Sequence, residues 1–178
     1  MGFFVITGGP GVGKTSLIEA LQLRGYKTVA ENARAIIRAE QHKGGDALPW
    51  KDKSGYASRM LKAGVQHYQD TLRYWTGELV FFDRSVVDAV CYVEMENLTI
   101  EPAVMDEVKA CIYEKMVFIL PPWKEIYETD GERKQNWEEA QLTFDCLKKT
   151  YDRLGYTLVE VPRTTIEQRC AFVIDYSK

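Results

Sequence analysis

Eight consecutive residues, Gly8-Gly9-Pro10-Gly11-Val12-Gly13-Lys14-Thr15, fit the spacing G-x-x-x-x-G-K-[ST] at every defined position. Each residue type suits the holding of a phosphate chain. Glycines let successive backbone N–H groups turn towards phosphate oxygens with no Cβ in the way. A helix opening at Lys14 adds the positive end of its dipole. Lys14 is expected to reach the β- and γ-phosphates and the Thr15 hydroxyl to bind Mg²⁺, with Ser16 next to them in the nucleotide-binding set. The context agrees, because the loop follows the apolar run Phe3-Phe4-Val5-Ile6-Thr7.

A second apolar run ends in Phe81-Phe82-Asp83-Arg84-Ser85. A carboxylate at the tip of a buried strand beside a phosphate loop is where Mg²⁺ is held, so Asp83 joins Thr15 as an expected metal ligand. Arg84 would aim a guanidinium at the same place. The competing reading is an Asp-Arg pair that caps the next helix. No [NT]KxD or DxxG motif is present, which argues against a GTPase, and no LSGGQ-like signature of transporter ATPases is found. The chain is short for an oligomeric AAA+ motor with a helical lid domain.

Glu31 follows the second expected strand directly. A carboxylate there can take the proton from an acceptor hydroxyl, a role that a phosphate acceptor would not need. Arg34, three residues on, is expected to share a helix face with Glu31, either to hold substrate or to form a solvated pair. Arg133 lies in a charged stretch after Asp130-Gly131 and could neutralise the transferring phosphoryl group, with Tyr127 and Asp130 positioning it. Trp50 and Gln66 could meet an acceptor base by stacking or amide hydrogen bonds, against the simpler reading of a loop anchor and an ordinary helix residue. Asp88 is open between substrate contact and solvation of a helix face.

These side chains need a scaffold. Five short apolar or β-branched runs read as buried parallel strands: Phe3–Thr7, Lys27–Ala30, Leu79–Phe82, Met116–Leu120 and Thr157–Val161. Helical patterns run over Lys14–Arg24, Ser54–Thr76 and Glu132–Leu154. Thr164-Thr165-Ile166-Glu167 reads as a capping box opening a last helix. Alternating strands and helices imply a doubly wound α/β fold with ligands beyond the C-terminal ends of the strands. Lys43–Gly55 and Pro121–Lys134 read as mobile loops, the second a lid over 121–134 on a single domain of residues 1–178.

Composition closes other routes. The 178 residues are 46% hydrophobic and 28% charged, as in an ordinary globular chain. A net charge of −3 argues against a protein that lives on nucleic-acid backbone. No apolar run approaches the roughly 18 residues of a membrane span, and no signal peptide is recognised, so a cytoplasmic setting is expected. The two histidines, His42 and His67, lie far apart, against a His-based zinc site. The four cysteines include no CxxC pair and read as small buried hydrophobes.

The set Phe3 to Thr15, Glu31-Asn32-Ala33-Arg34, Phe81 to Ser85 with Asp88, and Pro121-Pro122-Trp123 leading to Ile126 through Arg133 resembles the NadR/Ttd14-type P-loop family. The likeness runs over nearly the whole chain. It implies an α/β P-loop NTPase fold, nucleoside- and nucleotide-kinase-like, with a five-stranded parallel sheet and helices on both faces. Members include a ribosylnicotinamide kinase domain and a GTP- and lipid-binding protein. Asp-Arg-Ser stands here where members more commonly have Asp-Arg-Gly. The reading is an ATP- and Mg²⁺-dependent kinase for a hydroxyl of a small nucleoside-like acceptor, with no nucleic-acid or membrane partner and an open oligomeric state. The alternative is a regulatory or switch NTPase using ATP or GTP. A third option is a kinase-fold binding module without turnover.

Overall fold

The computed structural model describes residues 2–126 and 137–178. Tyr127, Asp130, Arg133 and most of the expected lid lie outside the described residues. The strands are β1 Phe3–Gly8, β2 Lys27–Val29, β3 Val80–Asp83, β4 Met116–Leu120 and β5 Thr157–Glu160. The helices are α1 Lys14–Leu23, α2 Ala33–Lys43, α3 Lys53–Arg73, α4 Val86–Met95, α5 Pro102–Ala110, α6 Trp137–Arg153 and α7 Ile166–Tyr176. The strands form one sheet in the order β2-β3-β1-β4-β5. β1 pairs in parallel with β3 and β4, and β4 with β5.

Strand position follows residue type. All six residues of β1 are buried at the centre of the sheet, whereas the edge strands β2 and β5 carry Lys27, Thr157 and Glu160 outward. Side chains alternate across β1. Phe4 and Ile6 face a cluster with Phe81, Phe118, Leu17, Leu21, Cys170 and Val173, so α1 and α7 cover that side. Phe3 and Val5, on the other side, are equally buried, and α6 packs on β1 and β5.

The chain divides into two compact units. The first comprises Met1–Thr28, Gly77–Arg84 and Tyr113–Lys178, with the sheet strands β1, β3, β4 and β5 and helices α1, α6 and α7. The second comprises Val29–Thr76 and Ser85–Ile112 and is helical. Within it α3 packs on α2, α4 and α5. Tyr56 meets Tyr92 edge-on at 5.3 Å, and the Tyr68 hydroxyl donates to the Ile112 carbonyl at 3.1 Å.

Every expected strand is present within a residue of its expected ends. Helices α2, α4 and α5 were not delimited from the sequence. Three readings change. Lys43–Gly55 is no long loop: Gly44 caps α2 in the left-handed region (φ 67), Ala47 and Leu48 are buried, and Asp52 caps α3 by accepting from the Gly55 amide at 2.9 Å. Helix α7 is capped by Thr165, which accepts from the Gln168 amide, rather than by Thr164. Glu31 precedes the Asn32 cap of α2, so it does not share a helix face with Arg34.

The α3–α4 contact depends on Gly64. A Cβ there would lie 3.1 Å from both the Cα and the Cβ of Val86, closer than side chains comfortably approach. Gly64→Val should therefore destabilise the fold by about 1–3 kcal/mol, because overpacking of backbone outweighs any relief of glycine's conformational freedom. Chemical denaturation checks this, and an unchanged midpoint would contradict it.

Candidate functional site

The loop from Gly8 to Gly13 leaves the end of β1, where the strand order reverses direction, the place that gathers ligands in open α/β sheets. Its conformation requires glycine. Gly11 and Gly13 sit in the left-handed region (φ 72 and 81). At Gly8 (φ 144) a Cβ would lie 2.7 Å from the Leu120 carbonyl, so β1 and β4 close together only without a side chain. Val12, between the two left-handed glycines, is buried and anchors the loop in the core cluster.

The N-terminus of α1 is prepared for an anion. Helices α3, α4 and α7 cap their first turns with Asp52, Ser85 and Thr165. At α1 the cap is Gly13, which offers no side-chain cap, and no acidic residue stands in the first turn, features it shares with α2 and α5. The amides of that turn and the helix dipole suit a negatively charged ligand. Lys14 is buried and donates to the Gly9 carbonyl at 3.0 Å, across its own loop. Thr15 and Ser16 are exposed on the same turn.

Asp83 ends β3 in register with Ile6 of β1, so its strand tip stands beside the strand that feeds the loop. Arg84 follows with φ 66, a left-handed conformation uncommon for a residue with a side chain, and its amide donates to the Ile6 carbonyl at 3.0 Å. Among the described residues no group of three His, Cys, Asp or Glu is placed to hold a metal. Mg²⁺ fits such a place when phosphate oxygens and water complete its shell, since one or two protein ligands then suffice.

A residue that the sequence reading passed over stands against the loop. Arg169 of α7 is fully buried, donates from Nη2 to the Val12 carbonyl at 3.0 Å, and has its guanidinium carbon 5.4 Å from the centre of the Trp123 ring. Its Nη1 lies 2.8 Å from where a Gly13 Cβ would be. Desolvation lowers its pKa from the ordinary arginine value, which still leaves it charged. The available signal was its place on the apolar stripe of α7, adjoining Cys170 and one turn before Val173. Arg163 pins the same segment by donating from Nε to the Pro122 carbonyl at 3.0 Å.

The acceptor candidates belong to the second unit. Glu31 is half-buried just before α2 and Arg34 is exposed on its first turn. Trp50 is 57% exposed. Gln66 is exposed on α3 and donates to Asp70 at 2.9 Å. Asp88 forms the capping box of α4, accepting from the Ser85 amide at 2.9 Å. The loop residues, Lys14, Thr15, Asp83 and Arg84 lie together in the first unit.

Comparison with known proteins now bears on this geometry. A family model described as AAA domain matches residues 3–169. The chain belongs to that family. No curated protein matches. Among solved structures, the AAA domain is similar to NadR protein in complex with NR, with 18% identity and a TM-score of 0.71 over 97% of this chain and 49% of NadR. NadR in complex with NAD and AMP-PNP gives the same identity and TM-score over 98% of this chain. The chain thus spans about half the length of the NadR structures. Deoxyadenosine kinase from M. mycoides with bound dATP matches at 14% identity and a TM-score of 0.58, over 99% of this chain and 98% of the kinase. The expected α/β P-loop, kinase-like fold and the NadR-type resemblance are borne out. No helix among the described residues is long and apolar enough to cross a membrane.

Arg84 allows backbone and side chain to be separated. A left-handed non-glycine residue costs on the order of 1 kcal/mol, so Arg84→Gly should be more stable than Arg84→Ala by about that amount. Paired thermal melts decide this, and equal stabilities would show that the backbone there carries no such strain.

Proposed function

We propose that this AAA domain is an ATP- and Mg²⁺-dependent phosphotransferase that phosphorylates a hydroxyl of a small nucleoside-like molecule in the cytoplasm. The observation that carries the reading is the uncapped, acid-free N-terminus of α1 with Lys14 on it. That arrangement suits a polyphosphate, which the backbone amides of Gly8 to Ser16 would cradle. Lys14 would meet the β- and γ-phosphates. Mg²⁺ would be held by Thr15, Asp83 and phosphate oxygens, and would draw charge from the phosphoryl group. Arg84 would face the same charge, and Arg133 of the proposed lid over 121–134 would help neutralise it.

The kinase reading draws support from neighbours whose names include a deoxyadenosine kinase with dATP and NadR in one complex with NR and in another with NAD and AMP-PNP. Glu31 is the proposed general base, and Arg34, Trp50, Gln66 and Asp88 are proposed acceptor contacts. A screen for ADP release from ATP with nicotinamide riboside, ribonucleosides, deoxynucleosides and sugars, with a no-acceptor control, tests the reading. Acceptor-stimulated release supports a kinase. Release indifferent to every acceptor favours a switch NTPase.

Two variants refine the test. Asp83→Asn should weaken MgATP binding more than ATP binding in EDTA, because an amide keeps the shape and loses the charge that attracts a hard cation. Equal losses in the two titrations would make Asp83 purely structural. Glu31→Gln should lower acceptor-dependent turnover by about 10²- to 10⁴-fold and leave acceptor-free hydrolysis nearly unchanged. Parallel losses in both rates would count against Glu31 as the base.

A further inference from the structure

Arg169 presents an electrostatic problem. Its guanidinium is wholly buried, and its single hydrogen bond among the described residues runs from Nη2 to the Val12 carbonyl. Nε and Nη1 have no hydrogen-bond partner there, and none of the ion pairs among the described residues involves it. A buried charge without a counter-charge is costly, and proteins retain one where something compensates it. The Trp123 ring face recovers only a small part of that cost through a cation–π contact.

The position of the charge indicates the rest. Nη1 occupies the space that a Gly13 side chain would fill, directly against the residue that caps α1. Gly13 therefore serves two ends: it supplies the left-handed turn and leaves room for a cation beside the loop. The bond to Val12 fixes one peptide of the loop, so the orientation of the neighbouring amides is set from α7. No glutamate or aspartate of α1's first turn competes for this charge.

We propose that Arg169 is a positioning residue for the nucleotide: it holds the phosphate loop through Val12, and the polyphosphate of the bound nucleotide is the counter-charge that its buried guanidinium lacks. This rests on the nucleotide-binding reading above and adds a residue far from the loop in sequence. Coulombic attraction from one fixed charge acts on every phosphate group of the ligand. A loss of that charge should therefore fall more heavily on a ligand with more phosphates. A role in packing alone would affect all ligands of the same base equally.

The test is calorimetric titration of AMP, ADP and ATP in EDTA into the full chain, wild type and variants, with thermal melts to establish folding. Arg169→Met should weaken ATP binding by about tenfold or more, ADP by less and AMP by about twofold at most, as expected for a charge-assisted contribution. Arg169→Lys keeps the charge and should restore the ATP preference in part. If Arg169→Met does not fold, Arg169→Gln carries the same comparison, since its amide can still donate to Val12. Equal losses for the three nucleotides, or none, overturn the proposal while the nucleotide reading stands on the wild-type titration. A wild-type chain that binds none of the three overturns both.

Discussion

Positive charge gathered at the phosphate loop is the constraint on which the first unit turns. Free amides of α1, the Lys14 ammonium and the Arg169 guanidinium converge on one short loop, and the first turn of α1 contributes no acid. Such a concentration is unfavourable by itself, so the surroundings must be stiff enough to hold it. The sheet supplies that stiffness. β1 is central and buried along its whole length, and its end is clamped between β3 and β4 by parallel pairing. The close approach of Gly8 to Leu120 then fixes where the loop begins.

The apolar cluster explains why the charges stay in place. Val12 belongs both to the loop and to the cluster, packed in with Leu17, Leu120 and Val173. Moving the loop outward would expose Val12 and break the Arg169 bond together. Burial of a valine side chain is worth about 1.5–3 kcal/mol, comparable to a charge-assisted hydrogen bond, so neither anchor dominates the other. Cys170 and Val173 dock α7 onto this cluster and thereby bring Arg169 to the loop.

What the sequence disclosed depended on how local the information was. The phosphate loop is contiguous, and its glycines, lysine and threonine were legible from spacing alone. The strands were legible because burial on both faces demands unbroken apolar runs, as in Phe3 to Ile6 and Val117 to Leu120. Arg169 was not legible as a loop partner, because only tertiary packing joins it to Val12, 157 positions away. The short loop between α2 and α3 looked mobile from its glycines and proline, but burial of Ala47 and Leu48 is invisible in composition. Asp88 illustrates an ambiguity of residue type: a carboxylate three residues after Ser85 suits a helix cap as well as a ligand contact, and the fold uses it at least as a cap.

The Trp123–Arg169 contact also has a spectroscopic consequence. Indole emission responds to nearby charge, and this ring lies over a guanidinium that itself touches the phosphate loop. The protein therefore carries an intrinsic optical reporter of its loop, with no label to attach. Trp50, which is 57% exposed, and the further tryptophans Trp75 and Trp137 add background emission, so the Trp123 signal is isolated by replacing those three. A tryptophan packed on a cation beside the loop thus ties one emission signal to that loop.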